Sequence, residues 1–457
     1  MFKIILATLT LLTTLTTQAG INPRGLTLDQ WLDHSKPISF QNLLANISPA
    51  GTAPGTVVAS PSQNQPDYWY HWVRDAALVM QIVVDAYRDA KTPEERGRYL
   101  RMILDYMDIS RKNQQTPNLI GGIGEPKFEV DGSGFFGDWG RPQDDGPALR
   151  AITLMRFASL LIAEGKEKFV EDKLYAFGDG HVPTLIKTDL EYVSHHWKNT
   201  SVDLWEEVRG HHFYTRMVQR RALLEGAKFA KLMGDFEAGG WYELQGKALE
   251  PEINRHWDAN RKYIQSTLDR DGGLDYKYSN LDSSVILGVL HGATDDGFFP
   301  VTDPRVQATA FELKRVFGKI YPINKVGPKG VGIGRYPEDR YDGYQTGSLG
   351  NPWILLTNGL AEYHYVLARE VQKEQRLDRS SINKNFIDDL KLSSRSISRV
   401  VTRLKEAGDE YFSRTQFHSD SEGQFSEQMN RDHGFMQGAR HLTWSYASFL
   451  TALAARP

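Results

Sequence analysis

Helical periodicity is the feature of this chain that most constrains its fold. Apolar residues recur at three- and four-residue spacing along most of the 457 residues. Some of these segments, as at 76–84, are apolar on almost every face, whereas others carry one apolar stripe. Broad and narrow helices in succession predict an all-α protein with two helical layers. The predicted helices are 27–45, 72–91, 94–112, 146–165, 181–199, 212–234, 243–267, 303–318, 352–373, 384–406 and 436–454.

Long connections rich in Gly, Pro, Asp and aromatic residues separate these helices. They fall at 50–70, 113–145, 269–302, 319–351 and 408–435. Loops of this length inside a compact domain are usually functional. The chain has no low-complexity linker and no clear repeat of fixed period, so we expect one catalytic domain over residues 20–457.

The composition excludes several classes of function. The sequence has no cysteine, which rules out disulfides, thiolate metal sites and a cysteine nucleophile. With 54 Lys and Arg against 57 Asp and Glu, the net charge of -3 argues against a nucleic-acid or anionic-membrane binder. The chain also has neither a Walker-type loop nor an HExxH motif. We therefore expect neither a metal nor a cofactor.

The N-terminus has the pattern of a secretory signal peptide. Lys3 precedes an apolar stretch from Ile4 to Leu15, and small residues lead to a cleavage site after Ala19. This stretch is shorter than the ~20 apolar residues that a membrane span needs, and no later segment is apolar enough to be one. An exported protein without cysteines favours a bacterial periplasmic or secreted protein over a eukaryotic one.

Five clusters at successive inter-helix loops combine tryptophan or another aromatic residue with arginine or carboxylates. Any one cluster could be purely structural, but five at successive loops favour a carbohydrate site. The apolar face of a pyranose stacks on flat rings, and its hydroxyls bind arginine and carboxylate groups. Glycoside hydrolysis also needs a pair of carboxyl groups. The clusters are 69–75, 137–143, 203–207, 334–339 and 424–428.

In this order, the clusters resemble the signatures of glycoside hydrolase family 15, the glucoamylases. The similarity runs over about residues 25–455 through the motifs 60–75, 124–150, 203–207, 334–353 and 426–446. It implies an (α/α)6 toroid of inner and outer rings of six helices, with the active site in the loops at one end. It also implies an enzyme that releases β-glucose, with inversion, from the non-reducing ends of α-1,4 and more slowly α-1,6 glucans.

The resemblance assigns the two catalytic carboxyl groups. Glu206 takes the place of the general acid and Glu427 that of the general base. The acid must keep its proton until the glycosidic oxygen receives it, and the carboxylates of Asp203 and Glu207 would favour that protonated form. Glu427 must be ionised to deprotonate water on the opposite face of the sugar, at a carboxyl separation of ~6.5–9.5 Å.

The resemblance also implies a set of substrate-binding residues. Arg74 and Asp75 match the pair that grips the terminal glucose, and Arg335 matches a second sugar-binding arginine. The matched motif around the acid adds Asp203 and Glu207. The aromatic and main-chain contacts are expected from Tyr68, Trp72, Trp139, Leu204 (through its carbonyl group), Trp205, Tyr341, Trp353 and Trp444.

The chain departs from the family pattern at three places, and the first two could alter chain-length preference. Met429 stands where an aromatic is common, His211 and His212 replace smaller residues, and the loop 342–350 is an insertion. No starch-binding module follows the last predicted helix, so we expect soluble dextrins or maltooligosaccharides as substrates. We also expect a monomer. Glucodextranase and trehalase activities remain open, as does a non-catalytic glucan-binding protein, although the presence of both carboxylates disfavours the latter.

Overall fold

The computed structural model describes residues 22–178 and 184–457, so the predicted signal peptide (1–19) lies outside the described residues. Fourteen α-helices and nine short strands occur within those ranges. The helices are α1 (Leu28–Ala45), α2 (Val73–Asp89), α3 (Pro93–Gln115), α4 (Asp145–Ala163), α5 (Glu167–Lys173), α6 (Leu185–His196), α7 (Phe213–Leu232), α8 (Phe236–Asn254), α9 (Ser284–Gly292), α10 (Pro304–Ile320), α11 (Ile354–Glu374), α12 (Lys384–Asp389), α13 (Ile397–His418) and α14 (Thr443–Ala455). The strands are β1 (His71–Trp72), β2 (Lys127–Phe128), β3 (Ser201–Val202), β4 (Val208–His212), β5 (Trp257–Asp258), β6 (Tyr263–Ile264), β7 (Thr267–Gly273), β8 (Gln428–Met429) and β9 (Met436–Gln437).

Twelve of the helices form two concentric rings. The inner ring runs α2, α4, α7, α9, α11 and α14, and it closes because α14 contacts α2. The partners α1, α3, α6, α8, α10 and α13 alternate with the inner helices along the chain and pack outside them. The prediction of an (α/α)6 toroid is confirmed.

The inner helices are buried because their sequences are apolar or small on nearly every face. Ala76, Ala77 and Val79 of α2 are fully buried. Helix α9 approaches α7 closely through Gly292, where a Cβ atom would lie 2.6 Å from the backbone of Met217. Packing on all sides is what a broad apolar surface requires.

Helix α4 illustrates how similar such a core helix is to a membrane span. It is the one helix in the described part of the chain long and apolar enough to cross a bilayer by length and composition. Most of it is buried against α2, α6 and α7. Burial inside a double ring accounts for its apolar sequence.

The structure differs from the predicted helices at the following four places. Helix α9 falls inside the predicted loop 269–302, because nine residues without a polar face give no periodic signal. The segment predicted as helix 243–267 belongs to α8 only as far as Asn254, and the residues after it form β5 and β6. The segment 384–406 divides into α12 and α13, since Lys391 adopts a left-handed conformation (φ 54°) that no helix accommodates. The last helix begins at Thr443, because β9 occupies the start of the predicted 436–454 segment.

The N-terminal ends of the inner helices meet at one end of the toroid. Helix α2 follows β1, α7 follows β4, and α11 and α14 begin beside Trp353 and Trp444. Strand β1 pairs with β2, and β3, β4 and β7 form an antiparallel sheet. Because helix N-termini carry a partial positive charge, this end of the fold favours bound carboxylates and polar ligands.

Candidate active site

A cavity of about 470 Å³ opens at this end of the toroid. All of the predicted site residues except Asp203 line it, so the fold brings together side chains separated by up to 376 positions, from Tyr68 to Trp444. The lining residues are Ala59, Pro66, Asp67, Tyr68, Trp72, Arg74, Asp75, Trp139, Gly140, Leu204, Trp205, Glu206, Glu207, Arg335, Tyr341, Tyr344, Thr346, Trp353, Leu355, Glu427, Leu442 and Trp444.

A network of buried ion pairs and hydrogen bonds surrounds Arg74 in the lining of the cavity. Its Nη1 atom donates to Oε1 of Gln143 at 2.8 Å and to Oδ2 of Asp145 at 3.1 Å. Its Nε atom lies 3.4 Å from Oδ2 of Asp75. Burial raises the pKa of Asp75 to about 6, against the charge of Arg74, which lowers it. This network presents charged groups to a polar ligand in the cavity.

Glu206 lies on the hairpin that joins β3 to β4. Its backbone has a positive φ of 68°, a conformation that costs a non-glycine residue free energy and that often marks a functional position. Its Oε1 atom accepts hydrogen bonds from Nε1 of Trp72 at 2.7 Å and from Nε2 of Gln143 at 3.1 Å. Nη2 of Arg74 lies 3.6 Å from the same atom. Three donors or charges therefore converge on one carboxyl oxygen.

Asp203 supports this hairpin and is the one predicted site residue that does not line the cavity, so its place in the substrate-binding set stays a prediction. Its Oδ1 atom accepts the backbone N–H groups of Glu207 at 2.8 Å and Val208 at 3.1 Å. Its Oδ2 atom lies 3.2 Å from Nζ of Lys277, which also pairs with Asp282 at 2.6 Å. The sequence places Asp203 three positions before Glu206 but cannot show that its side chain points into the turn.

Glu207 forms an ion pair with a second arginine of the cavity lining. Nη2 of Arg335 lies 2.8 Å from Oε1 of Glu207 and also contacts Asp339 at 2.6 Å. The hydroxyl of Tyr336 donates to Oε2 of Glu207 at 2.6 Å. Asp203 and Glu207 are therefore each paired to a cation, Lys277 and Arg335 respectively.

Glu427 is fully buried and lines the cavity next to two tyrosines. The hydroxyl of Tyr68 donates to Oε1 of Glu427 at 2.8 Å, and the hydroxyl of Tyr341 lies 3.0 Å from that of Tyr68. Burial raises the pKa of Glu427 to about 8, while the tyrosine hydrogen bonds and the charge of Arg335 lower it. The ionised form of Glu427 therefore depends on these hydrogen bonds and on the charge of Arg335.

One wall of the cavity is an aromatic cluster built around a buried lysine. The rings of Trp72 and Trp139 lie 5.9 Å apart, and Tyr68 lies 5.7 Å from Trp72. Pairing of β1 with β2 places Lys127 beside Trp72, with its Nζ atom 3.6 Å from the ring centre of Trp139. Cation–π attraction of this kind holds the ring faces in place.

A second aromatic cluster of the lining consists of three further rings. The ring of Trp353 lies 5.7 Å from Trp205 and 6.3 Å from Tyr341. Nε1 of Trp205 donates to Oδ1 of Asp282 at 3.0 Å, which fixes the indole plane. The cavity is thus lined by two aromatic clusters together with charged groups.

Several residues that shape the site carry no functional assignment from sequence reasoning. Gln143, Asp145 and Asp339 lie within the matched motifs, so their position was the available signal, whereas Lys277 lies outside every motif. Tyr344 lies in the insertion and lines the cavity, whereas neither Met429 nor the two histidines after the acid loop do. Within residues 22–178 and 184–457, no group of three or more His, Asp or Glu side chains has a metal-binding arrangement.

A closed double ring of helices with two carboxyl groups in an aromatic cavity defines an (α/α)6 glycoside hydrolase. The sequence model of glycosyl hydrolases family 15 matches residues 37–454. The chain therefore belongs to glycoside hydrolase family 15.

Similar proteins agree with this family. A glucoamylase of Blastobotrys adeninivorans is 39% identical over 94% of this chain and 72% of its own length. Glucoamylase 1 of Rhizopus oryzae is 37% identical over 94% of this chain and 71% of its own. The solved glucoamylase of Saccharomycopsis fibuligera has a TM-score of 0.86 at 30% identity and covers 96% of this chain and 97% of its own. These relatives are fungal, so a bacterial origin stays a prediction.

Proposed function

We propose that this protein is a glucoamylase that hydrolyses α-1,4 and, more slowly, α-1,6 glucosidic bonds from the non-reducing ends of glucans. The observation that carries the proposal is the placement of Glu206 and Glu427 at one cavity, each bound by a different set of donors. Separate environments for two carboxyl groups are what a division into acid and base requires.

The cavity explains why hydrolysis would occur at chain ends. The terminal glucose would lie beside the ion pairs of Arg74 with Asp75 and Asp145, so a glucan enters with that glucose first. The charged groups there bind sugar hydroxyls, and the rings of Trp72 and Trp139 offer flat faces to the apolar side of the sugar.

Glu206 supplies the proton to the glycosidic oxygen as the bond from that oxygen to the anomeric carbon breaks. The carboxylate that results is stabilised by the N–H groups of Trp72 and Gln143 and by Arg74. Glu427 takes a proton from a water molecule. The oxygen of that water bonds to the anomeric carbon on the face opposite the leaving group. The configuration inverts and β-glucose is released; each of the two roles is worth roughly 10²–10⁴ in rate.

The reaction of maltoheptaose followed by NMR tests the chemistry. We expect β-glucose to appear first, and initial α-glucose would contradict the inverting mechanism. Glu206→Gln and Glu427→Gln should each lower kcat by at least 10² while leaving the fold intact. Glu225→Gln is the matched control, because Glu225 pairs with Arg221 on α7, away from the cavity.

A substrate panel separates the related activities. Hydrolysis of maltose faster than isomaltose, with little activity on dextran or trehalose, is the expected result. Preference for dextran would indicate a glucodextranase, and preference for trehalose would indicate a trehalase. Binding of maltoheptaose without release of glucose would indicate a non-catalytic glucan-binding protein.

We also propose that the protein is exported as a monomer with one catalytic domain. The signal-peptide pattern of residues 1–19 supports export, and the buried apolar residues from Trp31 to Ala452 form one core. Compartment varies among relatives, since one from Saccharomyces cerevisiae is named an intracellular sporulation-specific glucoamylase. N-terminal sequencing of protein from the medium or periplasm should begin at Gly20, and light scattering should give the mass of one chain.

A further inference from the structure

The inserted loop 342–350 is an ordered hairpin. Oδ1 of Asp342 accepts the backbone N–H groups of Tyr344 and Gln345, each at 2.9 Å. Thr346 pairs with Tyr341 in an antiparallel bridge. These bonds fix the position of the intervening side chains relative to the wall of the cavity.

The same loop is anchored to the segment that carries Glu427. The carbonyl of Asp342 accepts hydrogen bonds from Nδ2 of Asn351 at 3.1 Å and from Nε2 of Gln437. Gly343 has a φ of 96°, and a Cβ atom there would lie 2.8 Å from Cα of Gly438. Only glycine permits this close approach, so the loop is held against the active site from both sides.

Tyr344 differs from the other rings of the cavity in its exposure. Trp72 and Trp353 are 5% and 7% exposed, whereas Tyr344 is 52% exposed although it lines the same cavity. The cavity therefore has buried rings inside and an exposed ring at its mouth. A glucan whose terminal glucose lies beside Arg74 must pass this mouth.

We infer that Tyr344 is a specificity-determining residue whose ring stacks on a glucose unit beyond the scissile bond. The apolar C–H face of a pyranose matches a phenol ring, and the anchored hairpin lowers the entropy cost of presenting it. The site selects α-linked glucans long enough to reach the mouth. This inference deepens the proposed function and rests on it.

The test compares substrates of increasing length. Tyr344→Ala should lower kcat/KM for maltoheptaose about 3- to 10-fold, the range for one aromatic contact, and change that for maltose less than twofold. Tyr344→Phe should behave like the wild type, because stacking does not need the hydroxyl. Tyr278→Ala is the matched control, since Tyr278 is exposed but does not line the cavity.

Two results would overturn the inference. One is an equal fall in kcat/KM for maltose and maltoheptaose in the Tyr344→Ala variant. The other is an unchanged kcat/KM for both substrates, in each case with an active wild type. Calorimetry of maltoheptaose binding to the Glu206→Gln variant, with and without Tyr344→Ala, keeps the test independent of turnover. An inactive wild type would refute the proposed function, whereas equal affinities in this calorimetric pair would refute the role of Tyr344.

Discussion

The indole N–H of Trp72 donates a 2.7 Å hydrogen bond to Oε1 of Glu206. Trp72 immediately precedes α2 and forms part of the aromatic lining, so one side chain both shapes the cavity and orients the carboxyl group that we propose as the general acid. Binding and proton transfer are therefore coupled through a single ring.

Removal of this N–H should slow proton transfer. Trp72→Phe keeps a flat ring but loses a hydrogen bond to a charged group, which is worth about 1.5–3 kcal/mol, so we expect kcat on maltoheptaose to fall about tenfold or more. Trp241→Phe is the control, because its Nε1 donates to Ser194 and neither residue lines the cavity. An unchanged kcat would show that the bond does not assist catalysis.

Removal of the Tyr68 hydroxyl should shift the pH dependence of kcat/KM. Tyr68 stabilises ionised Glu427, so Tyr68→Phe raises the pKa of that carboxyl group. Since the base acts only when ionised, the acid limb of the profile should move to higher pH. Tyr70→Phe should leave the limb in place, because Tyr70 donates to Asp67 instead. A shift to lower pH would contradict the assigned role of Tyr68.

The supporting role of Asp203 predicts a loss of stability together with activity. Asp203→Ala removes the acceptor of two backbone N–H groups and one partner of buried Lys277, so the free energy of unfolding should fall by about 2–4 kcal/mol. Asp203→Asn keeps an acceptor for the backbone N–H groups, so its free energy of unfolding should fall less than that of Asp203→Ala. Denaturant titration and kinetics check this; a raised KM at unchanged stability would instead indicate a substrate contact.

The network around Arg74 predicts that lysine cannot replace it. Lysine is a point charge and cannot reach Asp75, Asp145 and Gln143 together, so Arg74→Lys should lower kcat/KM about 100-fold, equivalent to about 3 kcal/mol. Arg88→Lys, on the exposed end of the same helix, should change it little. Equal effects of the two substitutions would argue against a specific role for Arg74.

Local periodicity predicts the two helical layers, whereas the closed double ring and the predicted part of the cavity lining follow from the family resemblance. Helix α9 escapes prediction because it is short and apolar throughout. The role of Asp145 also escapes prediction, because it depends on Arg74, which lies 71 positions away and is brought near by contact between α2 and α4. The orientation of Asp203 depends on a turn whose shape residue spacing does not encode.

The proposed binding mode, with the terminal glucose beside Arg74, has a consequence for turnover. Glucose formed there would leave through the mouth by which the glucan entered, and the shortened polymer would still occupy that mouth. The polymer must dissociate before the product can escape. Degradation would then proceed by repeated independent encounters with many chains. The mean length of all chains in a polymer sample would fall gradually, and the sample would not divide into untouched and fully consumed molecules.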